Sequence, residues 1–252
     1  MEKFVIQGGV PLSGEITAAG NKNAALPILA ACLLTEEELV IANVPRIRDT
    51  EAQIALLADL GVETEWVEDN TIRLCAKNVK DTTLDEDLSA AIRASFLMAG
   101  PLLARFGEVH MPPPGGDFIG RRRLDAHLDA FRELGARIGG QRMIELNAPP
   151  GGLRAAEIFM DEPSVMGTEN ALMAAALIPG ETTILNAASE PHVQDLANLL
   201  VKMGAPISGI GSNVMVVNGT DMTLASAMFS TFATVDIATS AASATTAANA
   251  LE

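Results

Sequence analysis

Four short segments carry side chains whose types and spacing suit the handling of an anionic substrate. In Gly20-Asn21-Lys22-Asn23-Ala24-Ala25-Leu26-Pro27 a glycine turn opens an apolar run, with Lys22 and Asn23 where a first helical turn would be. Free backbone N–H groups and the helix dipole favour an anion there, and the lysine adds a full charge. A helix start with a solvated lysine has the same pattern. The stretch Pro112 to Asp125 joins a proline run to a glycine-rich loop that carries an isolated carboxylate, Asp117, and three consecutive arginines, Arg121, Arg122 and Arg123. Guanidinium groups suit bidentate recognition of phosphate or carboxylate, although a loop with solvated arginines reads alike. Asp117 is an acid or a turn residue. Arg93 stands inside Ala91-Ile92-Arg93-Ala94-Ser95-Phe96-Leu97, where it must find a partner or reach water. Pro163-Ser164-Val165-Met166-Gly167-Thr168 places a hydroxyl and backbone donors at another helix entry, which an N-cap alone would explain.

These groups sit in an acidic chain. Its 252 residues carry 17 Lys and Arg against 32 Asp and Glu, a net charge of −15. Bulk attraction to a nucleic-acid backbone is excluded, and any anion site must be a local basic island. Aromatic residues make up 4% with no Tyr, which removes the stacking platforms of single-strand binders. A hydrophobic content of 48% excludes a wholly disordered chain. Cys32 and Cys75 lie in apolar runs and read as reduced core thiols. His110, His127 and His192 are too far apart for a histidine-based zinc motif, so no metal is expected. Met1 to Ile6 lacks the features of a signal peptide, and the longest apolar run, Ala24 to Leu34, is too short to span a bilayer. A cytoplasmic protein without membrane insertion is the expectation. Nothing sets an oligomeric state.

The elements that must position these residues repeat. Leu-Leu-Ala-Asp-Leu-Gly ending at Gly61, Phe-Arg-Glu-Leu-Gly ending at Gly135 and Leu-Leu-Val-Lys-Met-Gly ending at Gly204 each close an amphipathic helical pattern, the glycine suiting a left-handed helix end. Upstream, each unit has a more apolar helix: Asn23 to Leu34, Ala91 to Leu103 and Thr168 to Leu177. Short strands follow at Leu39 to Ile41, Glu108 to Met111 and Thr183 to Leu185. The unit reads helix, strand, helix, strand, strand. A helix apolar all round is buried, so three helix pairs around an axis, with sheets outside, are expected; stacked solenoid repeats are the alternative. From Asp221 to Glu252 the pattern stops. Ala, Thr and Ser make up 20 of these 32 residues, without Lys, Arg, Gly or Pro and without strand alternation, which reads as a low-complexity tail.

Together, Phe4-Val5-Ile6-Gln7-Gly8, Gly20 to Leu29, Arg93-Ala94-Ser95, Gly100-Pro101-Leu102, Ala104-Arg105-Phe106-Gly107, Gly115-Gly116 through Arg122, and Asn186-Ala187-Ala188 with Glu190-Pro191 resemble the UDP-N-acetylglucosamine enolpyruvyl transferase family, within the enolpyruvyl transferase superfamily. The resemblance runs from about residue 3 to 219. It implies an α/β fold, the inside-out α/β barrel of enolpyruvyl transferases, with three of the family's six units present here. Residues 1–20 would be a strand region belonging to the otherwise missing second domain, 21–220 the three-unit domain, and 221–252 a tail that does not match the family. The implied reaction moves the enolpyruvyl group of phosphoenolpyruvate to the 3′-hydroxyl of UDP-N-acetylglucosamine and releases phosphate, without metal or organic cofactor.

Carried over residue by residue, Lys22 would clamp phosphoenolpyruvate, Asn23 would orient the sugar, and Arg93 and Arg122 would neutralise phosphate groups. Leu124 and Asp125 would lie by the uracil, and Ser164 and Val165 would meet the diphosphate. Asp117 occupies a loop position that is usually a general-acid cysteine; a carboxyl group with a raised pKa can take that role. Arg123 replaces an expected proline and Met166 an expected glycine. Most of the family's second domain has no counterpart here. A non-catalytic UDP-sugar-binding fragment, a purely structural scaffold and a shikimate-pathway relative stay open as alternatives; the shikimate enzymes are expected to show a Lys-Ser opening in place of Lys22-Asn23. Because Asp117 lacks the soft thiolate that fosfomycin alkylates, incubation with fosfomycin is expected to leave the Asp117 peptide at its unmodified mass. An adduct on that peptide contradicts the assignment.

Overall fold

A computed structural model describes residues 3–9, 13–14, 18–116, 123–220 and 224–231. The first unit comprises α1 (Lys22–Ala30), prolonged by a 3-10 segment Ala31–Leu34, then β1 (Glu38–Ala42), α2 (Arg48–Asp59), β2 (Glu63–Glu68) and β3 (Thr71–Cys75). The second has α3 (Glu86–Ala91), a 3-10 segment Arg93–Met98, α4 (Ala99–Phe106), β4 (Glu108–Met111), α5 (Asp125–Glu133), β5 (Arg137–Gly139) and β6 (Ile144–Asn147). After β7 (Glu157–Phe159), the third unit holds α6 (Val165–Ala176), β8 (Gly180–Leu185), α7 (Pro191–Met203), β9 (Ile207–Ser208) and β10 (Val214–Gly219), and β11 (Ala227–Ser230) follows.

The same local rule builds all three sheets. In each unit the last strand lies between the other two and antiparallel to both, giving the orders β1-β3-β2, β4-β6-β5 and β8-β10-β9. Each unit then hands a parallel segment to the next. Thr83 bridges to His110 of β4, β7 pairs with β8, and β11 pairs with β1 from Leu39–Ala227 to Ala42–Ser230. The third unit thereby returns to the first, so the sheets form a cycle rather than the open stack of a solenoid.

The inner helices fill the centre. Ala24 to Leu34 is buried throughout, as is Gly167 to Ala176 of α6. α4 packs on α6 and on the 3-10 segment after α1, and α1 packs on α2 and α7. The second helices are amphipathic and stop where the glycines predict: Gly61, Gly135 and Gly204 have φ of 97°, 96° and 109°. Arg105 ties two units together by donating to the carbonyls of Leu33, Thr35 and Ala76 at 3.0–3.2 Å. Among the described residues no helix is long and apolar enough to cross a membrane.

Two expectations are corrected. The second unit's inner helix is not continuous from Ala91 to Leu103. It breaks at Ile92 (φ −141°, ψ 145°) into α3, the 3-10 segment and α4. The Ser95 hydroxyl donates to the carbonyls of Ile92 (3.0 Å) and Ser89 (3.3 Å), offering the backbone an alternative to a helical bond. Pro101 adds a residue without an N–H. The alanine- and threonine-rich stretch also contains a strand, β11, where no alternation marked one. Its partner β1 supplies the order, and the buried Thr35 hydroxyl donates to the Leu224 carbonyl beside it.

Thr35 also accepts a bond from the Glu37 N–H at 3.0 Å. Thr35→Val keeps the shape and strands the Leu224 carbonyl, so urea unfolding is expected to show a loss of about 1–2 kcal/mol. An unchanged midpoint contradicts the pairing.

Candidate functional site

Two helix starts face one cleft of about 500 Å³. Asn21 caps α1, its side-chain oxygen accepting the Asn23 N–H at 2.8 Å, and this leaves Lys22 as the first helical residue. Pro27 has no N–H to offer the Asn23 carbonyl, so that oxygen lacks its usual helical partner. α2 starts at Arg48 without a polar cap of its own; instead the Thr50 hydroxyl accepts the Ile47 N–H at 3.2 Å. Lys22 and Arg48 thus each place a cation in a first turn, where the helix dipole disfavours it. Asp49 answers part of that charge through a 2.8 Å ion pair with Lys22. Both groups are partly exposed, so the pair is worth little by itself. Arg48 forms no ion pair among the described residues.

Arg93 completes the basic wall. It is the first residue after the break at Ile92, lines the same cleft, and donates from Nη2 to the Arg123 carbonyl at 3.2 Å. The base of the 112–125 loop presses against it. Gly115 and Gly116 donate to the carbonyls of Ser89 (3.2 Å) and Ala90 (3.1 Å). A Cβ on Gly115 would lie 1.8 Å from the Ala90 oxygen, and Gly116 has φ +88°, so both positions require glycine. Asp117 and Arg122 lie outside the described residues.

The remaining candidates sit on the adjoining side. Ser164 caps α6, its hydroxyl accepting the Gly167 N–H at 3.2 Å; Val165 is the first helical residue and Met166 reaches the cleft. Leu124 precedes α5, and Asp125 opens it, paired with Arg123. Asp125 borders a second groove of about 650 Å³, which Arg123 also lines and which is otherwise acidic, with Asp129, Glu133, Glu157, Asp161 and Glu162. The structure therefore brings Lys22, Asn23 and Arg93 together in one cleft and places Asp125 at the next groove, while Leu124, the residue before α5, packs against the core. Arg48 was not singled out by sequence; its signal was its place at the start of a second helix beside Asp49. Among the described residues no group of three His, Cys, Asp or Glu side chains could hold a metal ion.

Behind the cleft, Asn170 joins three elements. Its Oδ1 accepts the Gly100 N–H at 2.8 Å, and its Nδ2 faces the Phe96 carbonyl at 3.0 Å and His127 Nδ1 at 2.9 Å. With the two Nδ2 hydrogens so used, His127 Nδ1 is an acceptor and its proton sits on Nε2. Burial, and secondarily the Arg93 charge, pull the His127 pKa down to about 3, in keeping with a neutral ring. Glu169, next to Asn170 in sequence and 1% exposed, is pushed well above the carboxylate range by burial, with Glu190 adding to the effect.

Residues 6–250 match the family model described as EPSP synthase (3-phosphoshikimate 1-carboxyvinyltransferase). The chain is 54% identical over 217 residues to the UDP-N-acetylglucosamine 1-carboxyvinyltransferase of Bradyrhizobium diazoefficiens, covering 86% of this chain and 50% of that protein. It is 51% identical over 219 residues to the protein of that name from Treponema denticola, covering 87% and 51%. The chain thus spans about half the length of the curated relatives it matches. In structure it is similar to the enolpyruvyl transferase NikO from Streptomyces tendae (TM-score 0.77, 22% identity, covering 90% of this chain and 54% of that one). An EPSP synthase from Acinetobacter baumannii gives a TM-score of 0.68 at 16% identity, covering 87% and 50%. These likenesses establish the fold.

The buried His127 sets a pH dependence. Its folded pKa of about 3 lies below the ordinary 6.5, so below pH 6.5 the unfolded chain takes up a proton that the fold refuses, and stability falls as pH drops from 6.5 towards 3. Unfolding measured between pH 6.5 and 4 is expected to show a steeper loss for the parent than for His127→Leu, by up to about 1.4 kcal/mol per pH unit. Parallel curves contradict a neutral buried ring.

Proposed function

The chain belongs to the EPSP synthase (3-phosphoshikimate 1-carboxyvinyltransferase) family of enolpyruvyl transferases, and on that premise we propose that its cleft serves the transfer of the enolpyruvyl group from phosphoenolpyruvate to the 3′-hydroxyl of UDP-N-acetylglucosamine, with release of phosphate. That reaction is the first committed step of peptidoglycan synthesis, and a cytoplasmic setting suits its two phosphorylated substrates. The observation that carries the proposal is the meeting of Lys22, Arg48 and Arg93 in one cleft of an acidic chain. The identity of 44–54% to relatives named for the UDP-sugar reaction supports that acceptor over 3-phosphoshikimate.

We infer the division of labour from the family resemblance. Lys22 holds the phosphate of phosphoenolpyruvate, with the dipole of α1 behind it, and an arriving dianion displaces Asp49 from the lysine. Arg93 and Arg122 neutralise phosphate oxygens. Asn23 orients the sugar. Ser164 and Val165 present the α6 helix start to the diphosphate, and Leu124 and Asp125 border the uracil. Asp117 delivers a proton to the enol carbon. The adjacent carbon gains cationic character, and the sugar oxygen adds to it and gives up its proton to solvent. In the later elimination the new methyl group returns a proton to the Asp117 carboxylate as the C–O bond to phosphate breaks, which remakes the double bond, and the basic wall stabilises the departing phosphate.

Residues 21–220 together with β11 form one domain in this reading, an inside-out α/β barrel, and residues 1–20 belong to a second. The near-complete exposure of Phe4, Val5 and Ile6 (96%, 94% and 87%) fits a segment that pairs elsewhere. A second reading, a UDP-sugar-binding fragment without turnover, is favoured for these 252 residues alone by the half-length match to the relatives.

Calorimetry is expected to show saturable UDP-N-acetylglucosamine binding, weakened about tenfold or more by Arg93→Ala, as befits loss of a charged hydrogen-bond donor. A phosphate-release assay with phosphoenolpyruvate then separates enzyme from binding fragment. Binding of shikimate 3-phosphate in place of the nucleotide sugar contradicts the acceptor.

A further inference from the structure

We propose that Asn170, buried and remote from the cleft's cations in sequence, is the positioning residue that sets the distance between the parts of the site. The inference rests on the nucleotide-sugar reading above for its ligand, and on geometry alone for the positioning itself. One amide reaches three elements that carry candidate groups. Its bond to the Phe96 carbonyl holds the 3-10 segment that Arg93 opens. Its bond to His127 holds α5, whose first residue is Asp125. Its own helix, α6, begins with the Ser164 cap and Val165. The Gly100 N–H fills its remaining oxygen, and a Cβ on Gly100 would lie 2.6 Å from the Asn170 carbonyl oxygen, so α4 and α6 approach as closely as backbone allows.

The amide is the group this junction needs. It must accept one N–H and donate to both a carbonyl and an imidazole nitrogen, and a carboxamide does this with both of its N–H groups used. A carboxylate of the same shape would turn an oxygen towards the Phe96 carbonyl, a repulsive contact in a buried site, and would require the His127 proton to move to Nδ1. His127 also stacks edge-on against Phe96, with ring centroids 4.9 Å apart, so the two elements that Asn170 tethers touch each other as well. Arg93 in turn grips the Arg123 carbonyl, two residues ahead of Asp125. Losing the amide therefore shifts Arg93, Asp125 and the α6 start relative to one another, although Asn170 is fully buried.

The test uses the full chain. Asn170→Asp is expected to weaken UDP-N-acetylglucosamine binding about tenfold or more, since displacements near 1 Å suffice for such losses, and to move the backbone amide resonances of Arg93, Asp125 and Val165 without ligand. A core variant away from the tethered elements, Leu74→Ala in β3, serves as the control for destabilisation: it is expected to lower the melting temperature and leave the affinity unchanged. If Asn170→Asp does not fold, His127→Leu cuts only the α5 tether and is expected to shift Asp125 and reduce affinity by a smaller factor. Parent-like affinity in a folded Asn170→Asp, or an equal loss in Leu74→Ala, overturns the positioning role. If the parent binds no nucleotide sugar, the functional reading fails, while the resonance shifts still decide the geometry: unmoved Arg93 and Asp125 amides overturn it, and moved ones uphold it.

Discussion

The inner helices of the first and third units are buried on every side, and the rest of the fold answers the need to cover them. From Ala24 to Leu34 every side chain is out of water, and α6 is buried from Gly167 onward. Such helices cannot sit at a surface. Covering them takes a second, amphipathic helix and a three-stranded sheet from each unit, and the parallel strands passed from unit to unit close the arrangement. The only parts of an inner helix that can meet water are its ends. Chemistry in this chain is consequently confined to helix starts and the loops that lead into them.

That confinement explains the electrostatics of the cleft. Lys22 and Arg48 each occupy a first helical turn, and Arg93 stands at the mouth of the broken inner helix of the second unit. Cations in these places are held against the local dipole, with Asp49 as partial compensation. An anionic ligand relieves both the mutual repulsion and the unfavourable placement. In a chain of −15 the concentration of three basic groups at one opening is a specific feature, since the neighbouring groove, with its five acidic residues beside Asp125, has the opposite character.

Much of this was legible in the sequence because it depends on local pattern. The glycine helix ends at 61, 135 and 204 and the apolar runs after Asn23 and Thr168 report backbone geometry and burial directly. The helix break at Ile92 was hidden, because the Ser95 hydroxyl that competes for backbone carbonyls looks like any serine in a helix. β11 was hidden because its order comes from pairing with β1, some 190 residues away in the chain, and not from its own alternation. Lys22 and Arg93 stood out against apolar neighbours, whereas Arg48 sits among charged residues and resembles any surface arginine. Asn170 was a lone amide in an apolar helix whose partners lie 43 to 74 residues distant.

The central claim is that separate helix starts converge to hold one phosphorylated ligand. Mapping of backbone amide shifts while UDP-N-acetylglucosamine is titrated into the chain addresses it directly. The account predicts that the largest changes fall together at Lys22, Asn23, Arg93 and Met166, and saturate with a single affinity. Changes confined to the acidic groove around Glu157 and Phe159, or none at the three helix starts, would contradict it.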